Sequence, residues 1–417
     1  MQEARPAIDY DGALRRQIIE LHVWAVRQGL FGTAAAELFD GFCQRLVLGG
    51  LSLWRASAAM RTLHPQWGGY SYLWRRDLNA IEPSQFGRGN ENSQGWLTSP
   101  FAYLVGQAEA GGDPWVHMRR RLAGPEALLD FPLLEELASA GAADYFAQIV
   151  RFGPQGDASR GTGIGYSFAT DRREGFGEDD LTLLQAVLPA LSLAMMTHAG
   201  HTIASGLLGA YLGGDAGRRV HAGAVERGSV ESVRAILWFA DMRGFTKLAD
   251  STPGLHVIEL LDEVFETLTA PLRSRGGQVL KFMGDGMLAI FPMLAATEAE
   301  VCRSAIDAAR AAMHALDRIN RARVAACKPG AEVDLALHIG EVLYGNVGAA
   351  DRLDFTVIGP AVNEAARIET LCEPLGRKVL VSEEFVTAAG TCNELQPLGH
   401  HRLRGVREPR AIYGLNL

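Results

Sequence analysis

Lysine is scarce in this chain of 417 residues: it occurs only at positions 247, 281, 328 and 378. Arginine therefore carries almost all of the positive charge, and the formal net charge is −8 at pH 7. A general nucleic-acid binder normally presents a basic face. The charge balance argues against that class of protein.

Cysteine is also sparse, and its five positions are dispersed without a CxxC spacing: Cys43, Cys302, Cys327, Cys372 and Cys392. An odd, scattered set suits a reducing compartment better than a disulfide framework. Residues 1–12 contain acidic, basic and proline residues but no apolar signal core. We therefore expect a cytoplasmic protein.

A clean membrane-spanning segment is missing as well. The most apolar window, residues 181–197, contains Gln185, Pro189 and Ser192 and follows three acidic residues at 178–180. Such polar groups are costly in the bilayer core, so we expect no membrane span and a soluble protein.

The length predicts two domains and a connector, because one ordinary core does not grow to this size. Helical periodicity marks residues 13–60, and a shorter aromatic pattern over residues 51–74 is typical of strands joined by Gly-Gly turns. Residues 84–113 are rich in Gly, Asn, Ser and Gln and are predicted to form a long loop.

A helix with a turn is predicted over residues 133–145, and a hairpin with strands at 148–152 and 163–168 follows it. The glycines at 161, 163 and 165 superficially resemble a phosphate-binding loop. No lysine and no helix follow them as such a loop requires, so we interpret these glycines as hairpin residues.

Six of the seven tryptophans lie between Trp24 and Trp115. They fill a core or line a ligand pocket, since small-molecule sites are largely apolar. The segments 141–147 (Gly-Ala-Ala-Asp-Tyr-Phe-Ala) and 166–184 resemble a GAF-type sensor domain. The resemblance implies an α/β sensor domain over residues 1–177, with a small-molecule ligand of unknown identity.

Residues 178–232 are predicted to form a signalling helix and a connector. Apolar residues between 181 and 198 recur at steps of three and four, which gives a heptad-like seam. Pro189 would kink this helix. The segment is either a parallel coiled-coil stem or the last core helix of the sensor domain. Glycines from 206 to 217 break the regularity beyond it.

From Arg234 onward the pattern predicts strand, helix (255–275), strand, hairpin, strand, helix (297–323) and strand. Two βαβ-type halves that share one sheet form a ferredoxin-like α+β core, which we place in residues 233–417.

Two aspartates stand at strand ends of this core. Asp241 follows the apolar strand 235–240, and Asp285 lies in a Gly-Asp-Gly turn, which is a strong hairpin signal. If the strands are neighbours, the two carboxylates face a common point. Mg²⁺ and Mn²⁺ prefer oxygen ligands and often share them with phosphates. The pair therefore predicts a divalent-metal site.

A third segment, residues 354–367, adds two polar side chains. Pro360 suits the first turn of a helix, and Asn363 and Arg367 would then share one face of it. Asparagine can bind a sugar, and the planar fork of arginine fits a phosphoryl group. The alternative is a helix cap at Asn363 and a surface ion pair at Arg367.

In combination and order, the segments 238–246, 281–286 and 354–367 resemble the catalytic domain of a class III nucleotidyl cyclase. The resemblance implies that Asp241 and Asp285 bind two divalent cations, Mg²⁺ or Mn²⁺, with help from the backbone carbonyl of Met242. It implies an enzyme that closes ATP to 3′,5′-cyclic AMP and releases pyrophosphate.

The resemblance also implies a role for one residue at each part of the nucleotide. Lys281 and Thr356 contact the base, Asn363 orients the ribose, and Arg367 stabilises charge in the transition state. The phosphates meet backbone N–H groups of the turn Gly244, Phe245 and Thr246, and Arg404 or, alternatively, Arg407.

The choice of base rests on hydrogen-bond chemistry. Lys281 only donates, so it suits N1 of adenine better than the N1–H of guanine. Thr356 stands where the family often has aspartate, and its hydroxyl does not firmly exclude guanine. Thr at this position resembles a bacterial subgroup of which some members respond to inorganic carbon. Asp354 would face the same side of the strand as Thr356 and stays open as a substitute.

Finally, the resemblance implies that each active site is built between two catalytic domains, so we expect a homodimer. One chain would give both aspartates, and the other would give the base, ribose and transition-state contacts. The alternatives are a guanylyl cyclase and a catalytically silent nucleotide-binding module. A diguanylate cyclase would need a different hairpin motif from Gly284-Asp285-Gly286.

Overall fold

The structure is a computed structural model that describes residues 12–64, 67–78, 80–111, 115–152, 163–293, 296–390 and 392–417. The chain divides into two compact units, residues 1–207 and residues 208–417. The predictions for residues 1–11 and for Gly161 lie outside the described part.

The first unit is built on a six-stranded sheet in the order β3-β2-β1-β6-β5-β4. Its strands are β1 Arg55–Arg61, β2 Trp67–Arg75, β3 Ala80–Gly87, β4 His117–Arg121, β5 Asp144–Arg151 and β6 Gly163–Thr170. Its helices are α1 Gly12–Leu30, α2 Ala35–Leu48, α3 Gln94–Leu97, α4 Pro100–Gly111, α5 Pro132–Ser139 and the start of α6 Glu178–Leu212. Every described pairing is antiparallel, so the unit is α+β rather than the predicted α/β.

The predicted long loop over residues 84–113 is wrong. The segment contains the end of β3 and the helices α3 and α4. Its composition is polar overall, but Leu104 is fully buried and packs with Phe101 and Val105 into a core under the sheet. Burial of a few apolar side chains at helical spacing outweighed the loop-like composition.

The predicted Gly-Gly turn is also wrong for Gly68 and Gly69, which lie inside β2. A Cβ on Gly69 would stand 2.2 Å from the ring of Phe86 on β3. Glycine is therefore required there by close packing between strands rather than by a turn.

The apolar seam of α6 is buried inside the first unit. Leu184, Leu188, Leu191 and Met195 are fully buried in the same core as α1 and α2, and Pro189 lies within the helix. This favours the core-helix interpretation of the seam over a free stem. By length and composition alone α6 could cross a membrane, yet 44% of its apolar window is buried within the fold. A buried core helix passes the same test, so this is weak evidence for a span.

The second unit contains a larger sheet in the order β13-β14-β12-β10-β7-β9-β8, with β11 paired to β10. Its strands are β7 Val230–Met242, β8 Gln278–Met283, β9 Gly286–Pro292, β10 Val333–Gly348, β11 Leu353–Ile358, β12 Val379–Ser382, β13 Leu395–His401 and β14 Arg410–Leu415. Its helices are α7 Gly214–His221, α8 Phe245–Ser251, α9 Gly254–Arg273, α10 Glu298–Ala325, α11 Pro360–Glu369 and α12 Glu383–Ala389. The predicted connector includes α7.

The predicted β–α–β–β–α–β order is present as β7, α9, β8, β9, α10 and β10. Helices α9 and α10 pack on one face of the sheet around Trp238, which is fully buried. Asn320 and Arg323 at the end of α10 hydrogen-bond to the backbone of residues 329–331. These bonds anchor the segment before β10 to α10, and the start of β10 pairs with the end of β7, where Asp241 lies.

Candidate active site

Strand pairing brings Asp241 and Asp285 together. In the register of β7 with β9, Ala240 faces Met287, and Met283 pairs with Gly286 across the β8–β9 turn that carries Asp285. A Cβ on Gly286 would lie 2.7 Å from Oδ1 of Asp241. The Asp241 carboxylate therefore occupies the space beside Gly286, next to Asp285, as the sequence predicts.

The charges at this point are not neutralised. Burial raises the pKa of Asp241 to about 6, and the neighbouring carboxylates of Asp285 and Asp334 add to the rise. Within the described part of the chain, neither Asp241 nor Asp285 has an ion-pair partner. Two neighbouring carboxylates without an ion-pair partner repel each other, so binding of a positive ion between them would be favourable.

The donor set fits a hard divalent cation. It consists of two carboxylates. Met242, whose backbone carbonyl is the further expected ligand, follows Asp241 and has its side chain buried in the core. No cluster of three or more His, Cys, Asp or Glu side chains that could hold a metal ion occurs in the described residues. Water and phosphate oxygens would have to complete the coordination, as they commonly do for Mg²⁺.

Two acidic residues and an arginine that the sequence analysis did not single out lie beside this pair. Asp334 faces Asp241 in the register of β7 with β10 and accepts a forked pair of hydrogen bonds from Arg243. Glu369, at the end of α11, is buried. Burial raises the pKa of Glu369 to about 7, and the nearby carboxylate of Asp241 raises it further. Only strand register and helix packing place Asp334 and Glu369 here, so no local motif could have identified these two residues, whereas Arg243 lies within the segment 238–246.

The turn after Asp241 has the geometry expected of it. Gly244 adopts φ 69°, a left-handed conformation that favours glycine, and α8 begins at Phe245. Phe245 packs against the core while Thr246 is exposed. The first amides of a helix have no intrahelical acceptor, so they are available to an anion.

Lys281 and β11 meet on one side of the sheet. Nζ of Lys281 donates to Oδ2 of Asp354 at 3.2 Å, and both side chains are partly exposed. Thr356 is only 6% exposed, and its buried hydroxyl has no hydrogen-bond partner in the described residues. The structure thus brings together Lys281 and Asp354, with Thr356 buried two residues further along the strand.

Helix α11 begins at Pro360, as predicted, and carries Asn363 and Arg367. Asn363 is exposed, and Nη2 of Arg367 lies 3.5 Å from the position of a Cβ on Gly405. Arg404 and Arg407 are both exposed. In the described part of the chain, no hydrogen bond or ion pair joins α11 to Asp241 or Asp285.

Comparison with known proteins identifies this unit. Residues 228–416 match the model of the adenylate and guanylate cyclase catalytic domain. An adenylate cyclase of Anabaena cylindrica is 30% identical over 166 residues, which are 39% of this chain and 32% of that protein. An uncharacterized protein of Mycobacterium tuberculosis strain H37Rv is 33% identical over 184 residues, 44% of this chain and 33% of that protein. The chain thus spans about a third of the length of these relatives.

Solved structures of both adenylyl and guanylyl cyclases are similar to this region. A bacterial light-regulated adenylyl cyclase is 28% identical with a TM-score of 0.39, over 45% of this chain and 91% of that one. The guanylyl cyclase Cya2 is 23% identical with a TM-score of 0.40, over 45% of this chain and 93% of that one.

Residues 228–416 are therefore a class III adenylyl/guanylyl cyclase catalytic domain. Such domains act on nucleotides, typically dimerise and generally use divalent metal ions.

Proposed function

We propose that this protein is an adenylyl cyclase that converts ATP to 3′,5′-cyclic AMP and pyrophosphate. The observation that carries the proposal is the convergence of Asp241 and Asp285 without a cation partner in the described residues. Both carboxylates are present, which argues against the alternative of a catalytically silent nucleotide-binding module.

Different residues of the chain would bind different parts of the nucleotide. Asp241 and Asp285, with the backbone carbonyl of Met242, would hold two divalent cations. Bound there, these ions would lower the pKa of the ribose 3′-hydroxyl and stabilise the departing phosphates. Backbone amides of Gly244, Phe245 and Thr246 would bind the triphosphate through its negative charge.

The remaining contacts orient the sugar and stabilise the transition state. Asn363 would hydrogen-bond to the ribose so that its 3′-oxygen faces the α-phosphorus. Arg367 would stabilise the charge that develops on the α-phosphoryl group, and its loss should lower turnover by about 10²- to 10³-fold. Arg404 rather than Arg407 is the proposed contact to the terminal phosphates, next to Gly405 against which Arg367 packs.

Adenine is the favoured base because Lys281 only donates hydrogen bonds. A direct comparison of MnATP and MnGTP as substrates tests this choice. Faster cyclisation of GTP than of ATP would show that the protein is a guanylyl cyclase instead.

We further propose that the active site is shared in a homodimer. Asp285→Ala and Arg367→Ala chains should each be nearly inactive, because each lacks one half of the site. A mixture should regain activity in heterodimers that contain one intact site, at up to about a quarter of the wild-type rate for random exchange. Mixing two preparations of the same variant is the control. Absence of recovery, when mass spectrometry shows that subunits exchange, contradicts the shared site.

The first unit is proposed to be a GAF-type sensor domain. Support comes from the segments 141–147 and 166–184 and from a cavity of about 140 Å³ lined by Met60, Phe86, Trp96, Phe101, Ile149 and Arg151. The tryptophans divide between the two predicted roles, since Trp74 is fully buried in the core and Trp96 lines the cavity. The expected ligand is a small molecule with a large apolar part.

Regulation through this unit is testable by deletion. Removal of residues 1–205 should change cyclase activity or dimerisation if the first unit controls how the catalytic halves meet. Unchanged activity and unchanged dimerisation would remove the support for regulation. A soluble, cytoplasmic location is part of this proposal.

A further inference from the structure

We propose that the cavity of the first unit binds a small aromatic carboxylate, with its ring between the sheet and α4 and its carboxylate against Arg151 and Arg61. The inference rests on the proposed role of this unit as a sensor domain and adds the chemical class of the ligand. All the residues that line the cavity belong to the first unit.

The floor of the cavity is a row of paired residues on one face of the sheet. Ala59 on β1 pairs with Gly165 on β6, and Gly165 pairs with Ile149 on β5. A Cβ on Gly165 would lie 2.8 Å from the ring of Phe101 on α4. Glycine at position 165 therefore lets the aromatic ring of the helix lie directly on the sheet.

Two arginines stand in the next row of the same face, and both line the cavity. Arg151 on β5 pairs with Gly163 on β6, and Arg61 on β1 lies two residues beyond Ala59. Because side chains alternate along a strand, both arginines share the face of the floor, one on each side of Gly163. Neighbouring strands lie about 4.8 Å apart, so about 10 Å separates the two arginine backbones. Long arginine side chains can span this gap and meet on one anion.

Apolar and aromatic side chains enclose the remaining space. Phe101 and Val105, about one turn apart on α4, line the cavity together with Trp96 of α3 and Phe86 of β3. The volume is about 140 Å³. An engineered apolar cavity of roughly 150 Å³ accepts benzene. The cavity therefore holds one aromatic ring and excludes a nucleotide, whose purine, ribose and phosphate together need far more space.

The charges of the lining favour a singly charged anion. Two arginines and one glutamate, Glu109 on α4, line the cavity, which leaves one positive charge. Arg61 also lies 3.7 Å from Glu91, in an exposed ion pair of a kind that contributes little. Within the described residues, no ion pair or hydrogen bond engages the half-buried side chain of Arg151. A carboxylate is a monoanion at pH 7 and fits the arginine fork, whereas a phosphate monoester carries about 1.5 to 2 negative charges.

Isothermal titration calorimetry on the full-length chain tests the proposal with phenylacetate as the probe. Phenylacetamide keeps the ring without the charge, acetate keeps the charge without the ring, and phenethylamine reverses the charge. Arg151→Gln removes the anion contact, Arg151→Lys retains its charge, and Ala59→Leu fills the floor of the cavity. Arg27→Gln is the matched control, since Arg27 is an exposed arginine on α1 that does not line the cavity. Thermal melts check that each variant is folded.

Phenylacetate should bind at least about tenfold more tightly than the other three compounds, because it alone satisfies both the ring site and the arginines. Arg151→Gln should weaken phenylacetate by about 10- to 150-fold, the range for a lost hydrogen bond to a charged group. The affinity for phenylacetamide should change by less than about threefold in the same variant. Arg151→Lys should restore part of the loss, and Ala59→Leu should abolish binding. Arg27→Gln should leave the affinity for phenylacetate within about threefold of the wild type.

Two outcomes overturn the proposal. In one, phenylacetate fails to bind or binds no better than phenylacetamide and acetate, which would mean that the arginines do not hold a carboxylate. In the other, phenethylamine binds best and Glu109→Gln rather than Arg151→Gln removes the binding, so that the ligand is a cation.

Cyclase assays separate this proposal from the sensor function. If phenylacetate binds through Arg151 without changing the rate of cyclic nucleotide formation, the sensor role is refuted and the ligand class stands. If removal of residues 1–205 changes the activity but phenylacetate does not bind, the ligand class alone is refuted.

Discussion

The two units differ in whether a carboxylate at a strand end has partners that compensate its charge. In the first unit, Asp144 is fully buried and accepts hydrogen bonds from Arg119 and from the backbone amide of Phe176. In the second unit, Asp241 has no ion-pair partner in the described residues and faces Asp285 instead. Asp144 joins the start of β5 to the loop before α6, whereas Asp241 leaves its charge available to a ligand.

The difference shows how a structural carboxylate is distinguished from a functional one. A buried charge that is fully hydrogen-bonded holds its surroundings in place. Charges of one sign gathered without compensation destabilise the fold and persist where a cation or a reaction uses them. The sequence pattern predicts a strand end only for Asp241 and assigns Asp144 to the helix and turn over residues 133–145, whereas the structure places Asp144 at the start of β5.

Asp285→Ala should have the largest effect on activity. If Asp285 holds a metal ion as proposed, its loss should lower the rate of cyclic nucleotide formation by at least about 10³-fold, since metal binding and charge stabilisation would fail together. The thermal stability should change little, because Asp285 is partly exposed in the β8–β9 turn and has no ion-pair partner in the described residues. Near-normal turnover with Mn²⁺ would contradict the role of this carboxylate.

Asp144→Ala should have the largest effect on stability. The change removes the acceptor of Arg119 and of the backbone amides of Tyr145 and Phe176, and loss of a buried partner of this kind costs about 3–5 kcal/mol. Urea unfolding followed by circular dichroism measures it. Asp171→Ala is the control: Asp171 forms an exposed pair with Arg76, which should contribute less than about 1 kcal/mol. Equal effects of the two changes on the free energy of unfolding would contradict the structural role of Asp144.

The pH dependence of stability tests a third buried group, His338. Burial lowers its pKa to about 4, although Glu384 opposes the shift and Arg410 assists it. Its Nδ1 lies 2.8 Å from the hydroxyl of Ser382, and Glu364 stands 3.7 Å from its Nε2.

The direction in which stability changes with pH follows from proton uptake by His338. Between about pH 6.5 and 4 the unfolded chain binds a proton at this histidine and the folded chain does not, so stability is lost as the pH falls through that window. The loss should approach about 2–3 kcal/mol.

Unfolding by urea at pH 7, 5.5 and 4.5 measures this slope. His338→Asn should reduce it, while His314→Asn, an exposed change on α10, should leave the slope as it is. A variant slope identical to that of the wild type would show that His338 is not responsible.

Asp241→Asn should have a small effect on stability, opposite in sign to that of Asp144→Ala. Because its pKa is raised to about 6, the carboxyl of Asp241 is mostly charged at pH 7, and this charge lowers the free energy of unfolding. The neutral amide of asparagine should therefore stabilise the chain by about 1 kcal/mol. The same variant should lose any stabilisation by added Mg²⁺. A less stable variant at pH 7 would mean that Asp241 serves the fold, as Asp144 does.

Much of the second unit was predictable. Its strand and helix order follows from apolar periodicity, and Asp-Gly marks the hairpin, so the approach of Asp241 and Asp285 could be derived from strand pairing alone. The roles of Asn363, Arg367 and Arg404 remain predictions from resemblance. The first unit was less predictable, because the apolar helix α4 follows directly on a polar stretch rich in Gly, Asn, Ser and Gln that gives the whole segment a loop-like composition.

The sequence by itself determined the order of elements in the catalytic domain and the residues at its strand ends, because hydrophobic periodicity and turn chemistry are local. Tertiary structure alone decided that Asp334 and Glu369 lie beside Asp241, that the seam of α6 is buried, and that Asp354 rather than Thr356 is exposed beside Lys281. These facts depend on strand register and burial, and both arise from contacts between residues that lie far apart in the chain.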